Sequence, residues 1–211
     1  MMTNPAMRIR QFGWISFVFA LEACGSPPDT ATPAPEATPG LVGKAPPATG
    51  GYPSVIMLSP DVAVETPAPE EPALMDQYGT AFWPKLLVVR PGQPVDFKNS
   101  EDVLHNVHVI DAETRKTEFN VGTPVVGAYR HVFEREGAYD VSCNIHPSMA
   151  AFLIVTAAPF FAVADSQGNF ELDAIPEGSY VIRVWNLDPR RRSERTIGID
   201  ATIDALDLTG S

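Results

Sequence analysis

Residues 138–155, AYDVSCNIHPSMAAFLIV, place two apolar, strand-like runs on either side of a short polar loop. In the first run Tyr139, Val141 and Cys143 alternate with polar residues, which is the period-two pattern of a strand with one buried face. The second run, residues 150–155, is apolar on both faces and predicts a strand deep inside a sheet. Cys143 therefore ends the inward face of its strand, where the loop begins.

The loop CNIHPSM carries a thiol, an imidazole and a thioether at three-residue intervals, on Cys143, His146 and Met149. Each has an ordinary alternative role: a buried cysteine, a surface turn before a proline and a core-filling methionine. Together they match three of the four ligands that copper needs to cycle between Cu(I) and Cu(II). Those four are one thiolate, two imidazoles in a plane and a weak axial thioether. The second imidazole has to come from another element.

The candidate for the second imidazole is His105, at the start of the strand-like HNVHVID. Its position alternates with two valines, so it begins a strand on an apolar, inward face. His108 falls on the opposite face of the same strand. We therefore predict that His108 and the remaining histidine of the folded region, His131, are not ligands.

Beyond residue 73 the chain shows no sustained helical repeat, and turn residues separate its short apolar runs. The run LLVV is followed by the turn RPGQ and the strand-like PVDFKN, and REG separates YRHVFE from AYDVSC. This spacing of short strands and turns predicts an all-β sandwich or barrel.

The segments PGQPVDFKN, LHNVHV and YDVSCNIHPSM resemble a cupredoxin of the plastocyanin and amicyanin type over residues 73–156. The resemblance implies a Greek-key β-barrel that holds one copper ion, cycling between Cu(I) and Cu(II). It assigns the four copper ligands, which are His105, Cys143, His146 and Met149. It also implies that Asn106 ties the two ligand loops together and that its backbone N–H donates to the Cys143 sulfur. Zinc is the competing metal, and the thioether favours copper.

The C-terminal part, residues 158–211, repeats turn signals about every ten residues. Its segment GNFELDAIPEGSYVIRV resembles the carboxypeptidase regulatory-like domain, a small transthyretin-like β-sandwich. Because this part is too short to bury a core alone, residues 51–66 are predicted to complete it, with the cupredoxin domain inserted between. The alternative is that residues 54–58 begin the barrel. The basic cluster DPRRRSER, residues 188–195, is predicted to be a solvated loop, with docking of an acidic partner as the alternative.

Residues 1–23 have a positive start, an apolar run and the sequence LEA, and they predict a lipoprotein signal peptide. LEAC resembles the bacterial lipobox, which implies lipidation of Cys24; an ordinary signal peptide is the alternative. Residues 24–50 are rich in proline, alanine and threonine and are predicted to be a disordered tether. These features imply export, with the protein lipid-anchored to a bacterial membrane and facing the periplasm or the cell exterior.

The net charge of −11 argues against nucleic-acid binding, which needs a basic face. Four protein ligands leave no open position on the metal, so we expect neither an enzyme nor a small-molecule substrate. The hypothesis is a membrane-tethered blue copper protein that carries electrons to or from an unidentified redox partner protein. The alternatives are copper storage or delivery, and an adhesion or scaffold protein with a non-redox metal site. Phe82 and Trp83 are predicted either to form an apolar rim with Pro147 near His146 or to plug the barrel end.

Overall fold

The computed structural model describes residues 40–173, 175–200, 202–203 and 205–210, and they form an all-β fold. The predicted signal peptide, Cys24 and residues 24–39 of the predicted tether lie outside these ranges. Within them, no helix has the length and apolar character needed to cross a membrane.

The described residues form sixteen strands and one turn of 3-10 helix, Pro189–Arg191. The strands are β1 Leu41–Lys44, β2 Val55–Pro60, β3 Ala73–Gln77, β4 Phe82–Trp83, β5 Leu86–Val89, β6 Pro94–Asn99, β7 His105–Asp111, β8 Thr117–Thr123, β9 Ala128–Val132, β10 Gly137–Ser142, β11 Ala150–Val155, β12 Phe160–Val163, β13 Asn169–Leu172, β14 Gly178–Trp185, β15 Ser193–Ile199 and β16 Ala205–Asp207.

A barrel is built from two sheets, with strand orders β5-β11-β10-β7-β8 and β4-β3-β6-β9. Strand β10 pairs antiparallel with both β7 and β11. The side chains between the sheets form one apolar cluster that includes Phe97 of β6, Val107 of β7 and Tyr139 of β10. Cys143 and Met149 belong to the same cluster. The inward face that alternation predicted for β7 and β10 is therefore confirmed.

A second pair of sheets forms a small sandwich, with strand orders β12-β2-β14-β15 and β13-β1-β16. Strand β2 lies between β12 and β14, so that Ile56 is opposite Ala162 on one side and Val184 on the other. These three residues belong to one buried cluster. The barrel strands, β3–β11, therefore lie in the chain between β2 and β12, which are hydrogen-bonded neighbours in the sandwich. This is the pairing on which the insertion hypothesis depends; the family of the sandwich stays a prediction.

The tether prediction is wrong at its C-terminal end, because Leu41–Lys44 is strand β1 of the sandwich. Leu41 is buried, and β1 pairs with β13 on one side and with β16 on the other. At Gly43 a Cβ atom would lie only 2.3 Å from the ring of Phe170 on the neighbouring strand β13, so only glycine leaves room for that ring. Packing against distant strands, rather than local composition, orders this segment.

Apolar side chains also join the barrel to the sandwich. Val55, Ile154 and Trp185 form a third buried cluster, with Phe152 packed against it. On the barrel side, the Arg90 guanidinium donates to the backbone oxygens of residues 158 and 159, at 3.1 and 3.0 Å. The junction therefore has both apolar packing and directed hydrogen bonds.

The predicted loop at residues 188–195 is correct only in its first part. Asp188 caps the 3-10 turn by accepting from the Arg190 backbone N–H, and strand β15 already begins at Ser193. Sequence alternation did not find β15, because its exposed residues outnumber its buried ones.

Candidate metal centre

Three of the four predicted ligands converge at one end of the barrel. The Nδ1 atoms of His105 and His146 lie 3.0 Å apart, and each lies 3.9 Å from the Cys143 sulfur. His105 begins β7 and is fully buried, whereas Cys143 follows the end of β10. Because β7 and β10 are antiparallel neighbours, the start of one strand lies beside the end of the other. The pairing of the strands therefore brings these residues together.

Backbone hydrogen bonds close the loop that carries Cys143, His146 and Met149. The Cys143 N–H donates to the Met149 oxygen at 3.2 Å, and the Met149 N–H donates to the His146 oxygen at 2.9 Å. Met149 is only 1 % exposed and packs in the same apolar cluster as Cys143. The structure thus places Met149 at this end of the barrel, and its role as an axial ligand stays a prediction.

The three converging atoms fit a metal ion. Bonds of about 2.0–2.1 Å to imidazole nitrogen and about 2.3 Å to thiolate sulfur are typical, and two such bonds span about 3–4 Å. The observed separations of 3.0, 3.9 and 3.9 Å match that span. Two unprotonated ring nitrogens at 3.0 Å repel each other unless one gains a proton or a cation lies between them. The arrangement is therefore suited to hold a cation.

Glu101 fixes the orientation of the buried histidine, and sequence analysis missed it. Its Oε2 atom lies 2.7 Å from His105 Nε2. An ionised carboxylate can only accept a hydrogen bond, so the neutral ring carries its proton on Nε2. Nδ1 of His105 is then left with a lone pair that faces Cys143 and His146. A carboxylate behind a ligating histidine is a common way to set its tautomer and raise its basicity.

The same carboxylate is held in place from two sides. The backbone N–H groups of Gly79 and Thr80 donate to it at 3.0 and 3.1 Å. Burial raises the pKa of Glu101, but the hydrogen bonds from His105, Thr80 and Gly79 outweigh burial and hold that pKa below its usual value. Glu101 therefore stays ionised at neutral pH, as its role toward His105 requires.

We expect Glu101→Gln to weaken metal binding by about 10- to 100-fold, the usual cost of losing a group that orients a ligand. The amide can still accept a hydrogen bond but has lost the negative charge that makes the ring more basic. Competition with a copper chelator measures the affinity. Glu113→Gln, at an exposed turn, is the control. Equal affinities for the two variants would show that Glu101 does not support the site.

Asn106 links the two ligand-bearing segments, as predicted, but through its side chain. Its Oδ1 accepts from the Asn144 backbone N–H at 2.7 Å and lies 3.3 Å from the Cys143 sulfur. Its Nδ2 donates to Asn120 at 2.8 Å, which fixes the orientation of the amide. The loop of Cys143 is therefore tied to the start of β7. Donation from the Asn106 backbone N–H to the sulfur stays a prediction.

The two other histidines of the barrel, His108 and His131, contact side chains outside the converging group. His108 contacts Asn144 and Thr117 through its two ring nitrogens, each at 3.2 Å. His131 lies 3.6 Å from a carboxylate oxygen of Glu118. Neither ring is among the three residues whose ligand atoms converge.

The surface near the site is partly apolar. His146 is half-buried, and its neighbour Ile145 is 48 % exposed. Strand β8 ends at Thr123, which pairs with His105, and Val126 in the loop that follows is 75 % exposed with a φ of 54°, a left-handed conformation that a β-branched residue rarely adopts. Of the two aromatics considered for a rim, Phe82 is fully buried in the barrel core and Trp83 is 54 % exposed. Phe82 therefore plugs the barrel, and only Trp83 is available to the surface.

Comparisons with solved structures find partial similarity. A purple cupredoxin from Nitrosopumilus maritimus is 27% identical, with a TM-score of 0.36, over 40% of this chain and 99% of that chain. A reduced amicyanin variant is 21% identical, with a TM-score of 0.38, over 47% and 99%. A copper-containing nitrite reductase from Thermus scotoductus SA-01 is 30% identical, with a TM-score of 0.38, over 46% of this chain and 25% of that chain. No protein-family model and no curated protein matches the chain.

Proposed function

We propose that this protein is a membrane-tethered blue copper protein that carries single electrons between partner proteins. The observation that supports it most strongly is the convergence of His105 Nδ1, His146 Nδ1 and the Cys143 sulfur at one end of the barrel. These three groups would hold one copper ion, which would supply exchange of a single electron between Cu(II) and Cu(I). No bond in the protein has to form or break.

The donor set favours copper over zinc. One thiolate and two imidazoles serve either metal, but zinc takes a hard or thiolate fourth ligand and keeps tetrahedral geometry. A thioether suits copper, and the buried Met149 lies on the same short loop as Cys143 and His146. Its burial in the apolar cluster of the barrel also keeps water away from the end of this loop.

The frame around the ligands suits electron transfer because it resists rearrangement. Glu101 fixes His105, and Asn106 fixes the loop of Cys143. A site that cannot relax toward the preferred geometry of either oxidation state loses little energy to reorganisation when an electron arrives. The half-buried His146, beside the exposed Ile145, offers an edge at which a partner can approach. In this proposal the chain is a carrier and not an enzyme.

Reversible reduction tests the proposed function. The copper-loaded protein is expected to lose its visible absorption when ascorbate is added and to regain it on reoxidation, over repeated cycles. A protein that binds copper but holds it permanently as Cu(I) would instead be suited to storage or delivery. A protein that takes up metal without any redox change would be suited to a scaffold.

We expect Met149→Leu to keep the protein folded and the visible band present, while the reduction potential rises. Leucine has a similar volume and no donor atom. Losing a weak axial donor destabilises Cu(II) more than Cu(I), and the axial ligand tunes the potential. A redox titration measures the change. Met57→Leu, on the sandwich strand β2, is the matched control; an unchanged potential in Met149→Leu would contradict the axial role.

The proposed tether depends on Cys24, within LEAC. We expect Cys24→Ala to move the protein from the membrane fraction to the soluble fraction of the cells that make it, because the lipid has no other attachment point in the lipobox. Immunoblots of fractionated cells measure this. Retention of the variant on membranes would contradict the lipid anchor and leave the copper hypothesis unaffected.

A further inference from the structure

A basic surface segment stands out in this acidic chain. Residues 183–195 carry five arginines and two acidic residues, which gives a charge of +3. The net charge of the whole chain is −11, so all other residues together carry −14. The arginines are Arg183, Arg190, Arg191, Arg192 and Arg195. The side chains of Arg190 and Arg191 are 89 % and 45 % exposed, and the two share one partner, Asp188. Because two guanidinium groups share one carboxylate, this end of the segment presents net positive charge to solvent.

One aromatic side chain lies directly under this segment. The Arg192 guanidinium stands over the ring of Trp185, 5.6 Å from its centre. Trp185 is only 7 % exposed, and its indole N–H is buried without a hydrogen-bond partner among the described residues. Arginine and tryptophan are the residues most enriched at the energetic centre of protein interfaces.

Close contacts connect this tryptophan with the ligand loop. The Cys143 N–H donates to the Met149 oxygen, and the next carbonyl along the chain, that of Ala150, accepts from the Tyr52 hydroxyl at 3.2 Å. The Tyr52 ring meets Phe152 edge-to-face at 4.8 Å between centroids. Phe152 in turn lies 5.4 Å from Trp185.

The last contacts of this series cross from barrel to sandwich, because Phe152 is on β11 and Trp185 is on β14. Burial and the charge of Asp140 raise the pKa of Tyr52, so its hydroxyl keeps the proton that it donates to the Ala150 carbonyl. The aromatic series thus runs from the ligand loop to the arginine surface without a gap in contact.

We propose that the exposed Arg190 and Arg191, together with Arg192 over Trp185, form a docking surface for an acidic one-electron carrier protein, distinct from the His146 edge. This inference rests on the proposed function for its redox role. In the complex one electron passes between the partner's redox centre and the copper site, and no bond forms or breaks. The aromatic contacts favour a redox protein over an anionic lipid surface, because only a redox partner exchanges electrons with the ligand loop.

Binding of an acidic haem protein tests the surface without copper. We expect the metal-free protein to bind cytochrome b5 at low ionic strength, although both carry net negative charge, and added salt to weaken binding. Arg190→Gln with Arg191→Gln should weaken it by about five- to tenfold. The control is Arg115→Gln with Arg130→Gln, which removes the same charge from two exposed ion pairs on the barrel. This control should change the affinity for cytochrome b5 little.

Equal weakening in both double variants would show general electrostatics and overturn the docking surface. Vesicles of phosphatidylcholine with phosphatidylglycerol test the lipid alternative. If only the Arg190 and Arg191 variant loses vesicle binding while its cytochrome b5 binding is unchanged, the surface binds lipid, and the proposal of a protein docking surface is overturned. Because this readout needs no copper, it is independent of the ascorbate test. Failure of the copper chemistry and failure of the surface are thus distinguishable.

The redox role of the surface has its own test. Tyr52→Phe keeps the ring but removes the hydroxyl that reaches the Ala150 carbonyl. At saturating reduced cytochrome b5, we expect this variant to show a slower first-order electron transfer to the copper-loaded protein, with binding affinity unchanged. Reduction by ascorbate should keep its wild-type rate. An unchanged first-order rate would overturn the electron path through Tyr52.

Discussion

Cys143→Ser is expected to abolish the intense visible absorption of the copper-loaded protein. That absorption comes from charge transfer between thiolate sulfur and Cu(II), and a serine hydroxyl is a harder donor that stays protonated at neutral pH. His105 and His146 remain, so the variant should still bind Cu(II), but with the weak absorption of ordinary nitrogen and oxygen ligands. The visible spectrum at a single equivalent of copper measures the change.

The second cysteine of the chain supplies the matched control. Cys24→Ser removes the other cysteine, which the lipobox hypothesis places at the N-terminus as the lipidated residue. The copper-loaded control should keep the full visible band. An intense band in Cys143→Ser, or its loss in Cys24→Ser, would contradict the assignment of the thiolate.

The largest stability effect is expected at the centre of the sandwich. Ile56 of β2 is fully buried between β12 and β14. Ile56→Ala removes three buried carbons and leaves a cavity, which typically costs about 2–5 kcal/mol of unfolding free energy. Since small domains are stable by about 5–15 kcal/mol, this is a large fraction of the total. Denaturant titration followed by tryptophan fluorescence measures the loss.

Val62→Ala, six residues further along the chain, is the control for that experiment. Val62 is 77 % exposed, so its truncation should change the unfolding free energy by less than about 0.5 kcal/mol. An equally small effect for Ile56→Ala would mean that β2 does not complete the sandwich core. The hypothesis that the barrel is inserted between β2 and β12 would then lose its structural basis.

The convergence of His105, Cys143 and His146 was predictable from local pattern. Alternation along a strand places His105 inward at the start of β7 and Cys143 inward at the end of β10, 38 residues later. Antiparallel pairing of those two strands then suffices to bring their ends together. His146 follows because it lies on the loop that Cys143 begins.

Glu101 was not predictable, because its position depends on a loop that no local rule describes. The Asn99 side chain accepts from the Glu101 backbone N–H at 3.0 Å and donates to the Val103 carbonyl at 2.8 Å. This buried amide folds residues 99–103 so that the carboxylate turns back toward His105. The signal in the sequence, a glutamate four residues before a histidine, is too common to indicate a site.

Strand β1 escaped prediction for a related reason. LVGK is short, contains glycine and lies in a proline-rich stretch, so its local propensity for strand is weak. Its partners are remote, as shown by the hydrogen bond between Lys44 and Asn169, which are 125 residues apart. Pairing with β13 and β16, rather than its own composition, makes this segment a strand.

Titration of the metal-free protein with Cu(II), followed by visible absorption, tests the central claim most directly. The arrangement of His105, Cys143 and His146 predicts an intense sulfur-to-copper band that grows linearly and stops at a single equivalent of copper. A protein that stays colourless on saturation, or that shows only weak Cu(II) absorption, would contradict a blue copper site at this end of the barrel.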